Sequence, residues 1–210
     1  MVFLSKDDIK KRCPRLLSGE KFDEKGFEHS KASYDLQLGE EVLVTPDREP
    51  KRLQKNQALN IDSGQFAILT TEEVLEIPPD LLGLITIRFR YKSKGLVNIS
   101  GFHVDPGFQG KLIFSVYNAG PTTVTLRRSE RVFSLFLTEI SSPVDYPGDY
   151  KGQHNIPIDM IETFAGARVP SLQALENRVN RTSTTLKIYG VLLTGIFVAL
   201  LVALIQGLIK

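Results

Sequence analysis

The chain has 210 residues, 26 Lys+Arg against 24 Asp+Glu, a pI near 8.6 and a single cysteine, Cys13. Its basic residues are not massed in one tract, so no polymeric nucleic acid is expected as a partner. One Cys and three scattered histidines (His29, His103, His154) exclude an internal disulfide and the ligand set of a zinc deaminase, and suit a reducing compartment.

The first residues, MVFLSKDDIKKRCPR, carry charge where an apolar leader would be needed, so no secretory signal is expected there. Residues 4–18 read as a short helix, with Ser5 as cap, Asp7 and Asp8 at its positive end and Pro14 disrupting its far end. From Ala32 to about Glu139 the pattern becomes short apolar runs, among them EEVLVT, GQFAILTT, LLGLITIRF, KLIFSVYN, TTVTL and RVFSLFL. They have strand length, are rich in β-branched and aromatic residues, and are separated by DSG, IPPD, DPGFQG and NAGP. This predicts a closed sandwich or jelly roll.

Residues 141–170 hold Pro143, Pro147, Gly148, Gly152, Pro157, Gly166 and Pro170, which predicts an irregular arm, either a linker or a lid. Residues 171–187 form a helical connector, with Leu172, Leu175, Val179, Thr182, Leu186 and Tyr189 in a short heptad seam; a plain amphipathic connector reads equally well. From Ile188 to Ile209 no charge interrupts the chain, and the segment 188–210, at about 1.5 Å per residue, spans the roughly 30 Å of a bilayer core. Arg178, Arg181 and Lys187 precede this segment and Lys210 follows it, which predicts a single-pass C-terminal anchor with the globular part in the cytoplasm. Gly195, Ala199, Ala203 and Gly207 place small side chains along one stripe, where a neighbouring helix can approach.

Six segments carry a resemblance: LSKDDI (4–9), ASYDLQLG (32–39), GQFAILTTEEVLEIPPDLLG (64–83), KGLVNISGFHVDPGFQG (94–110), YNAG (117–120) and DYKGQ (149–153). In this order and spacing the chain resembles the dCTP deaminases of the trimeric dUTPase superfamily over roughly residues 3–160. The resemblance implies an all-β fold, a distorted jelly roll over residues 1–140 that assembles as a homotrimer with nucleotide sites between subunits. It also implies Asp105 near the sugar, and Tyr150, Lys151 and Gln153 of the arm closing over the triphosphate.

The departures fall at the chemistry. The family strand after Asp-Pro-Gly carries a proton-shuttling Glu three residues before an Asn, and Ser115 stands there. A serine hydroxyl cannot act as a base near neutral pH without a partner, and a lost acid/base typically costs about 10²–10⁴ in rate. In the phosphate-binding segment only Arg88 is retained; Phe89 and Arg90 replace two serines and Ser93 an arginine, while Ser129 and Ser134 replace a Gly and a Gln. If residues 88–94 stay extended, Arg88, Arg90, Lys92 and Lys94 line one face as an anion site; a solvated charged strand is the competing reading. His103 is read as a packed strand residue rather than a base.

The expectation is therefore a membrane-anchored, deaminase-like trimer that binds a nucleotide or related phosphorylated ligand without deaminating it. Such a head suits a sensor or membrane effector, for example in a bacterial defence response. The ligand-binding residues expected are Arg88, Arg90, Lys92, Asp105, Tyr150, Lys151 and Gln153, with no protein-held metal or cofactor beyond Mg2+ accompanying a triphosphate. The alternative is a tethered working enzyme, either a dCTP deaminase or a dUTP diphosphatase in which Asp105 activates water.

Overall fold

The computed structural model describes residues 2–14, 16–18, 22–165 and 172–208. Helix α1 (Lys6–Arg12) begins in a capping box, with Ser5 Oγ accepting the Asp8 amide and Asp8 accepting that of Ser5. The helix is shorter than expected. It ends at Cys13, because Pro14 cannot continue it. A single 3₁₀ turn follows at Glu24–Phe27.

The strands are β1 (Tyr34–Val44), β2 (Lys51–Arg52), β3 (Ala58–Ile61), β4 (Phe66–Glu76), β5 (Leu81–Ile87), β6 (Leu96–Asn98), β7 (His103–Val104), β8 (Gln109–Asn118), β9 (Val124–Arg127) and β10 (Arg131–Glu139). A short helix α2 (Phe89–Lys92) follows β5, and α3 (Ile158–Ala165) and α4 (Leu172–Leu208) follow the sheet. One curled antiparallel sheet runs β6-β8-β4-β1-β10-β5-β7, with β2 paired to β1, and β3 and β9 form a separate ribbon. The mostly-β architecture that the turn-punctuated runs predict is present, as a sheet curled into a half-barrel.

The alternation along β8 shows how the sheet divides its residues. Leu112, Phe114 and Val116 are buried in the core, and Phe114 stacks on Phe133 of β10 with centroids 3.8 Å apart, closing the two halves of the curl on each other. Lys111, Ile113, Ser115 and Tyr117 occupy the opposite, half-covered face. On that face a second apolar cluster forms, in which Ile156, Met160 and Ile161 lie against Leu43, Ile68 and Ile113. The arm expected as irregular therefore contains a helix that packs on the sheet. Gly166 and Pro170 of that arm lie outside the described residues.

The chain divides into two units, Met1–Ser171 and Leu172–Lys210. The second is one continuous helix of 37 residues, about 55 Å long, with no break where the polar connector becomes apolar. Leu175–Gln206 contains the one stretch among the described residues long and apolar enough to cross a membrane, its most apolar 18-residue window having a mean hydropathy of 2.7. Its described side chains are exposed. The side chains of Leu172 and Gly207, and residues Ile209 and Lys210, lie outside the described part.

Two positions carry cost. Ser129, in the β9–β10 turn, sits at φ +66°, a conformation that glycine adopts freely and serine does not. Replacing Ser129 by Gly should raise stability by roughly 0.5–1 kcal/mol, the relief of backbone strain exceeding the added unfolded-chain entropy. Thermal melts should register this as about 2 °C.

Glu73 is buried at the β4 bulge, where its carboxylate accepts the Gln37 amide at 2.9 Å. Burial outweighs that bond and pushes its pKa up to about 7. Between the ordinary carboxylate range and pH 7 the folded state keeps a proton that the unfolded chain has lost, so stability falls as pH rises through this window and levels off above it. Glu73→Gln should remove that dependence, narrowing the difference in melting temperature between pH 5 and pH 8 relative to the unsubstituted protein.

Candidate functional site

The segment DPGFQG forms a tight turn into β8, with the Phe108 amide donating to Asp105 O and the Ile77 amide to Phe108 O. Its two glycines receive the arm. Gly107, at φ +73°, would place a Cβ 2.9 Å from the Tyr146 amide nitrogen, and Gly110, at φ +139°, would place one 2.8 Å from Gln153 O. Around Gly110 the arm adds itself to the edge of β8. The Lys111 amide donates to Gln153 O at 2.8 Å, the Gly152 amide to Gln109 O at 2.7 Å, and Gln153 Nε2 to Lys111 O at 2.8 Å. Tyr146 meets Phe108 edge-on, which seats the arm's first half against the same turn.

Between arm and sheet lies a cavity of about 190 Å³. Its polar groups are Ser100, His103, Asp105, Tyr146, Tyr150 and Gln153, and Ile113 and Met160 contribute apolar wall. His103 Nε2 lies 3.5 Å from Asp105 Oδ1. His103 is exposed at the rim rather than packed, correcting the sequence expectation: β7 is a two-residue edge strand whose alternation turns Val104 inward and His103 out. Burial and the nearby Asp105 charge raise the Tyr146 phenol above its ordinary pKa. Gln153 Oε1 is buried without a hydrogen-bond partner, an acceptor facing a cavity in need of a donor.

Ser115 stands on the outer face of β8, paired across the ladder with Ile68 and flanked on its own face by Ile113 and Tyr117. Its carbonyl accepts the amides of Ile99 (2.9 Å) and Ser100 (3.3 Å), so the serine adjoins the cavity wall through Ser100. The one carboxylate among the described cavity-lining residues is Asp105.

The cations lie elsewhere. Arg88 turns inward: its Nε is 3.2 Å from Asp35 Oδ2 and its NH1 donates to Arg131 O at 3.1 Å. Asp35 is buried and also accepts the Ser134 hydroxyl at 2.6 Å. The extended, four-cation face over 88–94 does not form. Once Arg88 is drawn in, the backbone closes into α2, where Tyr91 is buried and Phe89, Arg90 and Lys92 are exposed. Lys92 Nζ donates to Thr86 Oγ1 at 3.2 Å, and Arg90 lies 3.8 Å from Glu130. Lys151 lines a separate cavity of about 390 Å³ with Arg12, Glu76 and Asp145.

Of the residues expected to bind ligand, Asp105, Tyr150 and Gln153 thus share one cavity, and Arg88, Arg90, Lys92 and Lys151 do not line it. Ser100, His103 and Tyr146 join it without having been singled out as ligand contacts. Among the described residues no group of three or more His, Cys, Asp or Glu is placed to hold a metal.

The seating of the arm is testable. Gly110→Ala would force a Cβ onto Gln153 in a backbone conformation costing on the order of 1–3 kcal/mol. Tryptic cleavage after Lys151 should accelerate several-fold, with the fold of residues 2–140 retained by circular dichroism.

A protein-family profile described as dCTP deaminase-like matches residues 3–140. The dCTP deaminase of Pyrobaculum neutrophilum is 36% identical over 131 residues, covering 62% of this chain and 74% of the relative. That of Natronomonas pharaonis is 29% identical over 177 residues, covering 72% and 91%. Among solved structures, the 2'-deoxycytidine 5'-triphosphate deaminase of Agrobacterium tumefaciens superposes with a TM-score of 0.54 at 17% identity, over 64% of this chain and 47% of that one. That likeness shows a shared fold.

Proposed function

The chain belongs to the dCTP deaminase-like family, and we propose that it binds a deoxynucleotide, dCTP or a close relative, in the Asp105 cavity without efficient deamination. The observation that carries this reading is Ser115. At the strand position where the resemblance calls for a proton-shuttling Glu, this chain has a hydroxyl flanked by Ile113 and Tyr117 and facing Ile68 across the ladder. Deamination needs a group that takes a proton from water and returns it to the leaving ammonia. Asp105 is the one carboxylate in the cavity wall, and the resemblance assigns it to the sugar. Without a positioned acid/base the deamination rate is expected to fall by about 10²–10⁴.

In this reading the head is a homotrimer on the cytoplasmic side of a membrane, held by α4, and nucleotide occupancy is relayed to the bilayer as a sensor or effector. Exposed Val97, Ile99 and Phe102 on and beside the short strands β6 and β7 support contact between copies, since apolar side chains gathered at sheet edges are surfaces that partners cover. The exposed apolar length of α4 supports burial in lipid.

A second reading is favoured by one distance. His103 Nε2 lies 3.5 Å from Asp105 Oδ1, which suits a carboxylate held at the cavity rim to activate water at phosphorus, the step a dUTP diphosphatase requires of its Asp.

Product analysis with detergent-solubilised full-length protein separates the two. The expected outcome is thermal stabilisation by dCTP, no appreciable conversion of dCTP to dUTP and ammonia, and measurable deamination on Ser115→Glu. Robust dCTP deamination by the unsubstituted protein defeats the first reading, and release of pyrophosphate from dUTP establishes the second.

A further inference from the structure

Past Gln153 the chain keeps to the outer face of the sheet. The Ile156 side chain is buried, and its amide donates to Glu41 Oε2 at 2.6 Å, a charge-assisted bond from the arm to the middle of β1. Arg52 donates to Asn155 Oδ1 at 3.4 Å beside it. Ile156, Met160 and Ile161 then cover Leu43, Ile68 and Ile113. Ile68 is the cross-strand partner of Ser115, and Ile113 is its neighbour on the same face. The segment therefore lies over the surface next to which a reacting base would sit.

Three further facts bear on its role. Residues 154–165 fall outside the family match of 3–140, so the match does not specify the covering helix. The space left under it, about 190 Å³, is smaller than the roughly 300–1,000 Å³ of small-molecule sites. The arm also directs Lys151 to the other cavity and commits the Gln153 amide nitrogen to Lys111 O. In this conformation the Gln153 amide nitrogen is occupied and Lys151 stands at the other cavity rather than beside Asp105.

We propose that residues 154–165 form an autoinhibitory plug, latched by Glu41, which a nucleotide must displace in order to occupy the cavity beside Ser115. The inference rests on the nucleotide-binding reading above. Plugged and open states are two conformations of one chain, and a nucleotide that fits only the open one binds with an affinity reduced by the open fraction. Linkage is reciprocal: whatever weakens the latch tightens the nucleotide, and the nucleotide loosens the latch.

The test titrates full-length protein in detergent with dCTP and Mg2+ by calorimetry, and follows hydrogen exchange of residues 149–161. Glu41→Ala should bind dCTP about tenfold more tightly, as expected for loss of one charged hydrogen bond from the plugged state. Glu41→Gln, which keeps an oxygen acceptor for Ile156, should stay near the unsubstituted protein. Met160→Ser, which weakens the apolar seat without touching Glu41, should shift affinity in the same direction as Glu41→Ala. Adding dCTP to the unsubstituted protein should speed exchange of the Ile156 amide. The plug is overturned if Glu41→Ala frees that amide without tightening dCTP, or if dCTP slows exchange over 149–161, the behaviour of a closing lid. If the amide is freed and neither dCTP nor dUTP binds any of the proteins, the nucleotide reading itself fails.

Discussion

The cavity exists because two glycines let one stretch of backbone lie against another. At Gly107 and Gly110 the arm comes within 3 Å of where a Cβ would stand, at φ values that an L side chain rarely adopts. The candidate site follows from that contact. It brings Tyr146, Tyr150 and Gln153 over Asp105, adds a parallel bridge between Gln153 and Gly110 to the edge of β8, and aims the following residues at Glu41 and the outer face. A motif that reads locally as a turn is thus also a docking site for a segment some forty residues later in the chain.

Burial divides the charges more sharply than the linear pattern suggests. Arg88 and Asp35 sit within the folded sheet, where a lone charge is costly and a pair with further hydrogen bonds is tolerated. Once Arg88 is committed there, the cations that follow it have no reason to share its face, and α2 carries Arg90 and Lys92 outward. Glu73 shows the opposite balance. Its backbone donors do not compensate its burial, so it holds a proton near neutrality.

Much of this architecture was legible in the residues. The strand runs, the Ser5 cap, the stop at Pro14 and the apolar C-terminal helix all rest on short-range signals, namely period, capping chemistry and hydropathy, that tertiary contacts did not override. The alternation over 88–94 misled, because period two in so short a segment also fits one turn of helix. The deciding partner, Asp35, lies far back in the chain. Helix α3 was hidden inside a Pro/Gly-rich stretch, although Pro157 just before it and the apolar Ile156, Met160 and Ile161 mark a start and a face in hindsight. His103 and Tyr146 gave no signal of their own. What recruits them is the approach of the arm, and no local pattern encodes that.

The serine and the covering helix make physical sense together. A carboxylate at position 115 would share its face with Ile68 and Ile113 while Met160 and Ile161 closed over them, an environment that disfavours charge as the surroundings of Glu73 do. With a small hydroxyl there, the apolar residues of α3 can settle on the sheet without desolvating an ion. Conversely, a face with no charged side chain at position 115 can take an apolar cover, and the segment that supplies it runs on in sequence toward the long helix α4. In the proposed reading, the serine at position 115 and the plug over it are two aspects of one arrangement, in which an uncharged face can be occupied or released.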